Sequence, residues 1–194
     1  MSFLTGVLPT NVDINNKKYE IRSDFRTSIL FSNIVENEEL TEDIILKILE
    51  LYYPKWNELN EKDIERAFDN ILWFYKSEEN EEIEKGKNNN SNNGKIYDYE
   101  KDANYIYSAF LSQYNIDLQS IDYLHWWKFK ALFDSLNDDN KIVEIMRYRA
   151  MDLFKIEDKE QKKFYKKMKD LYSLDVISKE EQEELKKWNS ILKR

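Results

Sequence analysis

Few residues in this chain have types suited to catalysis. The single histidine, His125, stands in "YLHWWKF" beside Trp126 and Trp127. Imidazole titrates near neutrality and can act as a general base or metal ligand, given a partner group within reach. There is no second histidine and no cysteine, which excludes thiolate nucleophiles, disulfides and thiolate metal sites. Asp98, Asp102 and Asp122 are candidate carboxylates, but their spacing sets none of them against the ring. On a helical wheel His125 shares an apolar stripe with Trp126, Phe129, Leu132, Phe133 and Leu136. A ring on such a stripe is expected to bond to backbone or a carboxylate inside a core, so His125 and Trp126 are read as structural. Trp127 points off the stripe, towards Tyr123. These two are the candidate aromatic anchors for a partner, with burial between neighbouring helices as the alternative.

Two further clusters carry charge. Asp98, Glu100 and Asp102 in "DYEKDANY" lack the spacing and the glycine of a calcium loop, and acids there are expected to complement a helix start, so no metal is predicted. Residues 159–172, "KEQKKFYKKMKDLY", form an amphipathic basic helix. Lys162, Lys163, Lys166 and Lys167 lie around Phe164, Tyr165, Met168 and Leu171. These four lysines are read as an electrostatic adjunct to a partner surface; a solvated face and a nucleic-acid contact are the alternatives. Phosphate-loop, nucleophile-elbow, zincin and dinucleotide motifs are absent. The expectation is a protein without catalytic residues or cofactors, hence not an enzyme.

The elements that must position these residues read as helices. Of 194 residues only 3 are Gly and 2 Pro, too few to punctuate a turn-rich β fold. Aromatics reach 14%, so the core must be built largely from rings. "LPTNVDI" and "KYEI" flank "NNK" as a β-hairpin, because asparagine tolerates the positive φ of a tight turn. Ser23 or Asp24 caps a first helix, and Thr41 caps a second that Pro54 stops. A third places Ile64, Ala67, Phe68, Ile71, Leu72 and Tyr75 on one face, and a fourth does so with Tyr99, Ala103, Ile106, Phe110, Leu111 and Tyr114. The fold class is mainly α: a helical bundle with a small N-terminal β-hairpin and a C-terminal helical extension.

Residues 1–154 are read as the body, with a mobile asparagine-rich loop over 77–95, and residues 155–194 as a helical tail. The tail's last helix opens with the capping box Ser178–Glu181. Charge divides unevenly. The tail has 12 basic and 9 acidic residues against a chain total of -8, which leaves the body strongly acidic. That balance argues against bulk nucleic-acid binding. No secretion signal or membrane-spanning run is read, so the expectation is a soluble intracellular protein without membrane contact, self-association being left open.

An ordered series of segments then carries a resemblance. "SDFR", Asp102-Ala103 with Phe110 and "YNIDL", and Leu124-His125-Trp126-Trp127 with Phe129 resemble the bacteriophage gene-product-fifteen family of prophages and tailed phages of Gram-positive hosts. The resemblance covers most of residues 7–154. It implies a protein encoded among tail genes near the tape-measure gene, a place like that of tail assembly chaperones. The expected function is tail morphogenesis in the host cytoplasm, as a chaperone of the tape-measure protein or a binder of other tail proteins. A minor tail or joining component of the virion is the runner-up, and a nucleic-acid-binding regulator the third reading. Asp24, Phe25 and Arg26 of the "SDFR" element are expected to fix the hairpin to the body rather than to touch a client.

Overall fold

The computed structural model describes residues 3–77 and 95–174. The loop expected over 77–95 lies outside them apart from its two end residues, as does the helix expected to open at Ser178. The described chain is mainly α, with one antiparallel hairpin near the N-terminus and a helical C-terminal extension. It divides into two compact units, residues 3–77 with 106–137, and residues 95–105 with 138–174. The extension helix shares its unit with the helix before it and with residues 95–105.

In the first unit β1 (Asn11–Ile14) pairs with β2 (Lys17–Glu20), Val12 opposite Tyr19. Asn15 and Asn16 make the turn at φ 50° and 65°, the left-handed pair that matches the twist of a two-residue hairpin. Val12, Ile14 and Tyr19 face inward and are buried. Asn15 donates to the Asp63 carboxylate at 2.5 Å, and Tyr19 Oη to Glu58 O at 3.4 Å, which seats the hairpin.

Asp24 caps α1 (Phe25–Asn37) by accepting from Arg26 N at 3.1 Å, and Thr41 caps α2 (Glu42–Tyr52) by accepting from Ile44 N at 3.4 Å. Two short 3-10 turns, Trp56–Glu58 and Glu61–Asp63, precede α3 (Ile64–Lys76). Ala67 and Ile71 of its expected stripe are buried, with Phe74 in place of Tyr75. α4 (Ala103–Tyr114) buries Ile106, Ala109 and Phe110, while Ala103 and Leu111 of its expected face are exposed. Asn115 ends it at φ 53°, the left-handed closure that asparagine tolerates.

α5 (Trp126–Asp134) runs through the core. Phe25, Phe110, Trp126 and Phe133 stack on Phe129 with centroids 4.9, 4.9, 5.7 and 6.2 Å away and all planes within 14° of parallel. Offset ring stacking adds to the area each ring withdraws from water, and Phe129 is the hub of that core.

The second unit holds α6 (Lys141–Ala150), a 3-10 turn at Leu153–Lys155, and α7 (Lys159–Leu171), capped by Asp158 accepting from Gln161 N at 2.7 Å. Tyr99, Ile142 and Ile145 are buried, and α7 has no buried residue. Among the described residues no helix is long and apolar enough to cross a membrane.

Candidate functional site

The histidine–tryptophan segment is built from the end of α3 upward. The last carbonyls of any helix have no partner within it. At the end of α3, Trp126 Nε1 donates to Tyr75 O and Trp127 Nε1 to Phe74 O, both at 2.8 Å. The adjacent tryptophans thus close one helix with side chains of another, and both are buried, at 1% and 5% exposure. Trp127 lies against Trp73 and Phe74, so its reading as an exposed anchor is corrected: a ring bonded and enclosed there presents nothing to a partner. Tyr123, the other aromatic candidate, is 51% exposed, with its hydroxyl 2.8 Å from Ser23 Oγ.

His125 is not within the helix but is the residue that caps it. Its Nδ1 accepts from Trp127 N at 3.1 Å, which leaves the proton on Nε2, directed at Pro9 O 3.0 Å away. Both ring nitrogens are committed to backbone. Burial pushes the imidazole's pKa below its ordinary 6.5, the Pro9 carbonyl opposing that shift. The helical wheel misplaced this residue because the helix begins only at Trp126, His125 forming an isolated antiparallel bridge with Asp24. Phe25 N donates to Leu124 O at 2.9 Å and Trp126 N to Ser23 O at 2.8 Å, so the starts of α1 and α5 are stitched side by side.

Asp24 is the centre of that stitch. One oxygen caps α1 and pairs with Arg26, and the other accepts from Leu124 N at 3.0 Å. Arg26 Nη2 reaches on to Leu118 O and Ile121 O at 2.9 and 2.8 Å, and Phe25 stacks on Phe129. The "SDFR" element therefore fixes α1 to the segment leading into α5, not the hairpin to the body. The hairpin's own anchors, Asn15 and Tyr19, are turn and strand residues whose partners periodicity does not reveal.

In the second unit Asp98 accepts from Glu100 N and Lys101 N at 2.9 and 2.8 Å, a local turn cap ahead of α4. Asp102 is buried and takes a two-pronged pair from Arg149, at 2.5 and 2.9 Å. Arg149 also donates to Ile96 O and Tyr172 O, at 3.0 and 2.6 Å, so one guanidinium joins three segments of this unit. No group of three potential metal ligands occurs among the described residues. Lys162, Lys163, Lys166 and Lys167 are exposed on α7, beside Phe164 and Leu171 at 50% and 44% exposure.

Two surface grooves of about 570 Å³ lie in the first unit. One, along α3, is lined by Asn15, Lys62, Glu65, Arg66, Asp69, Asn70 and Trp73, its charges balanced and its floor polar. The other runs between α1 and α2. Leu30, Asn33, Ile34 and Asn37 recur at the spacing of one helical stripe, facing Lys47, Glu50 and Leu51, with Glu38 at one end. Leu30 is 52% exposed and Leu46, on α2, 41%. Two turns of helix with an apolar floor between two polar rims are what a third helix needs in order to dock. Sequence reading missed this surface because Leu30 and Ile34 look like continuations of the apolar face that carries Phe31.

No curated protein and no solved structure matches the chain. The family described as Bacteriophage Gp15 protein matches residues 4–174, a span that includes both units and every segment carrying the resemblance. The chain belongs to that family, and is on that ground a phage structural or morphogenesis protein.

Proposed function

We propose that this protein is a non-enzymatic chaperone of tail morphogenesis, holding helical segments of the tape-measure protein soluble in the host cytoplasm until the tail tube forms around them. The observation that carries the reading is the α1–α2 groove, where Leu30, Ile34 and Leu51 offer a helix-wide apolar floor to solvent. A chaperone of a long helical client must keep such a surface open, and needs no reacting groups to do so. Tyr123 and the four α7 lysines add accessible contact area, whereas Trp127 belongs to the core.

The test is co-expression of the chain with the tape-measure protein of the same phage, read by solubility and co-purification. The expected result is a soluble complex that Leu30→Arg weakens while the variant keeps its helical circular dichroism. A tape-measure protein equally insoluble with and without this chain contradicts the proposal. So does finding the chain at fixed stoichiometry in purified particles, which supports the virion-component reading.

A further inference from the structure

The α1–α2 groove and α7 lie in stretches of opposite charge, and each exposes apolar side chains. Residues 27–53, which contain the groove, hold six acids, Glu36, Glu38, Glu39, Glu42, Asp43 and Glu50, against one base, Lys47. That lysine is already paired with Glu38 at 2.8 Å. α7 carries six lysines against Glu160 and Asp170. Its apolar face is only partly covered. Tyr148 meets Phe164, Tyr165 and Tyr172, yet Phe164 and Leu171 stay about half exposed and no residue of the helix is buried. On the helix Lys163 and Lys167 flank Leu171 and Phe164, so the apolar strip has a cationic border. Of the six acids Glu38 and Glu50 line the groove itself, and with Glu38 paired to Lys47 the free charge on its rim is Glu50. An apolar floor in an acidic stretch and an apolar strip with a basic border are the two halves of a helix-in-groove contact.

We infer that α7 of one copy docks in the α1–α2 groove of a second copy. Phe164 and Leu171 lie over Leu30, Ile34 and Leu51, and Lys163 and Lys167 face Glu50 and the acidic residues around the groove. Such a contact joins two different surfaces, so a pair leaves a free groove on one copy and a free helix on the other. Copies then add head to tail, closing into a ring or extending as a chain. The inference shares the groove with the proposed function but not its client: failure of self-association leaves the tape-measure test intact, and the reverse also holds.

The test is the solution mass of the full chain by light scattering across protein concentration and salt. The groove variant is Leu30→Arg and the helix variant is Lys163→Glu with Lys167→Glu, both checked by circular dichroism. The wild type is expected to exceed the 23.6 kDa of one chain, and to lose mass as salt screens the rim charges. Each variant alone is expected at the mass of one chain. Mixed in equal amounts they are expected to form a complex of two chains and no larger, because only one intact groove and one intact helix remain to meet. A wild type of single-chain mass at every concentration and salt overturns the inference. So do variants that associate as the wild type does, or a mixture that stays at single-chain mass.

Discussion

α5 and α7 make an instructive pair. Both carry adjacent aromatics, Trp126–Trp127 and Phe164–Tyr165, and both carry lysines. α5, with nine residues, buries four of them, whereas α7, with 13, buries none. The difference lies in what surrounds each helix. α5 meets the carbonyl end of α3, where its indoles donate to Tyr75 O and Phe74 O, and a stack of rings centred on Phe129. Indole offers one N–H on a large apolar body, so it makes both contacts at once. α7 is held through its C-cap residue Tyr172, the contacts of Tyr148 and Lys169 donating to Met151 O at 3.0 Å, which orient it without covering it. Aromatic content therefore does not decide which helix is a surface; the elements packed around it do.

Substitutions can break this contrast in order of size. Trp126→Ala removes the ring that stacks on Phe129 and the indole bond to Tyr75 O, and should cost about 3–5 kcal/mol in urea unfolding. Arg149→Met strands the Asp102 carboxylate in the interior and should cost about 3 kcal/mol or slightly more, read the same way. If α7 owes its placement to this arginine, the near-ultraviolet signal of the second unit's tyrosines should fall too. Asp24→Ala deletes the α1 cap and the bond from Leu124 N, for about 2 kcal/mol.

A smaller effect concerns pH. The His125 pKa is held below 6.5 in the fold, so the unfolded chain takes up its proton first as pH falls. The contribution of neutral His125 is complete above that ordinary value and is lost as pH falls through it towards the lower folded value. The melting temperature should drop between neutral pH and about pH 5, and His125→Asn, which keeps a capping acceptor, should flatten that part of the curve. Smallest of all, Lys163→Glu with Lys167→Glu should leave stability within about 0.5 kcal/mol, since both side chains are on the exposed side of α7.

Much of the fold is legible in the sequence. The Asn15–Asn16 turn, the Asp24 and Thr41 caps and the basic helix from Lys159 follow from local rules, because each depends on residues within one turn of chain. What the sequence hides is long-range pairing. The bonds from Asp24 to Leu124, Arg26 to Leu118 and Arg149 to Asp102 span 100, 92 and 47 residues. The first two hold the segment that leads into α5, so that helix begins only at Trp126 and His125 is its cap. A wheel assumes that the helix continues, so it sent Trp127 outward. Of the candidate partner residues, the four lysines and Tyr123 are exposed and Trp127 is not. The groove arises where α1 and α2 lie side by side, and no single-helix pattern records the space between two helices.

The central claim is that partners engage the apolar α1–α2 groove and not the balanced polar groove along α3. It is tested most directly by a photoreactive amino acid placed at position 30 or at position 65 during co-expression with the tape-measure protein. The account predicts a covalent adduct with the tape-measure protein from position 30 and none from position 65. An adduct from position 65 alone, or none from position 30 in cells where the two proteins co-purify, would contradict it.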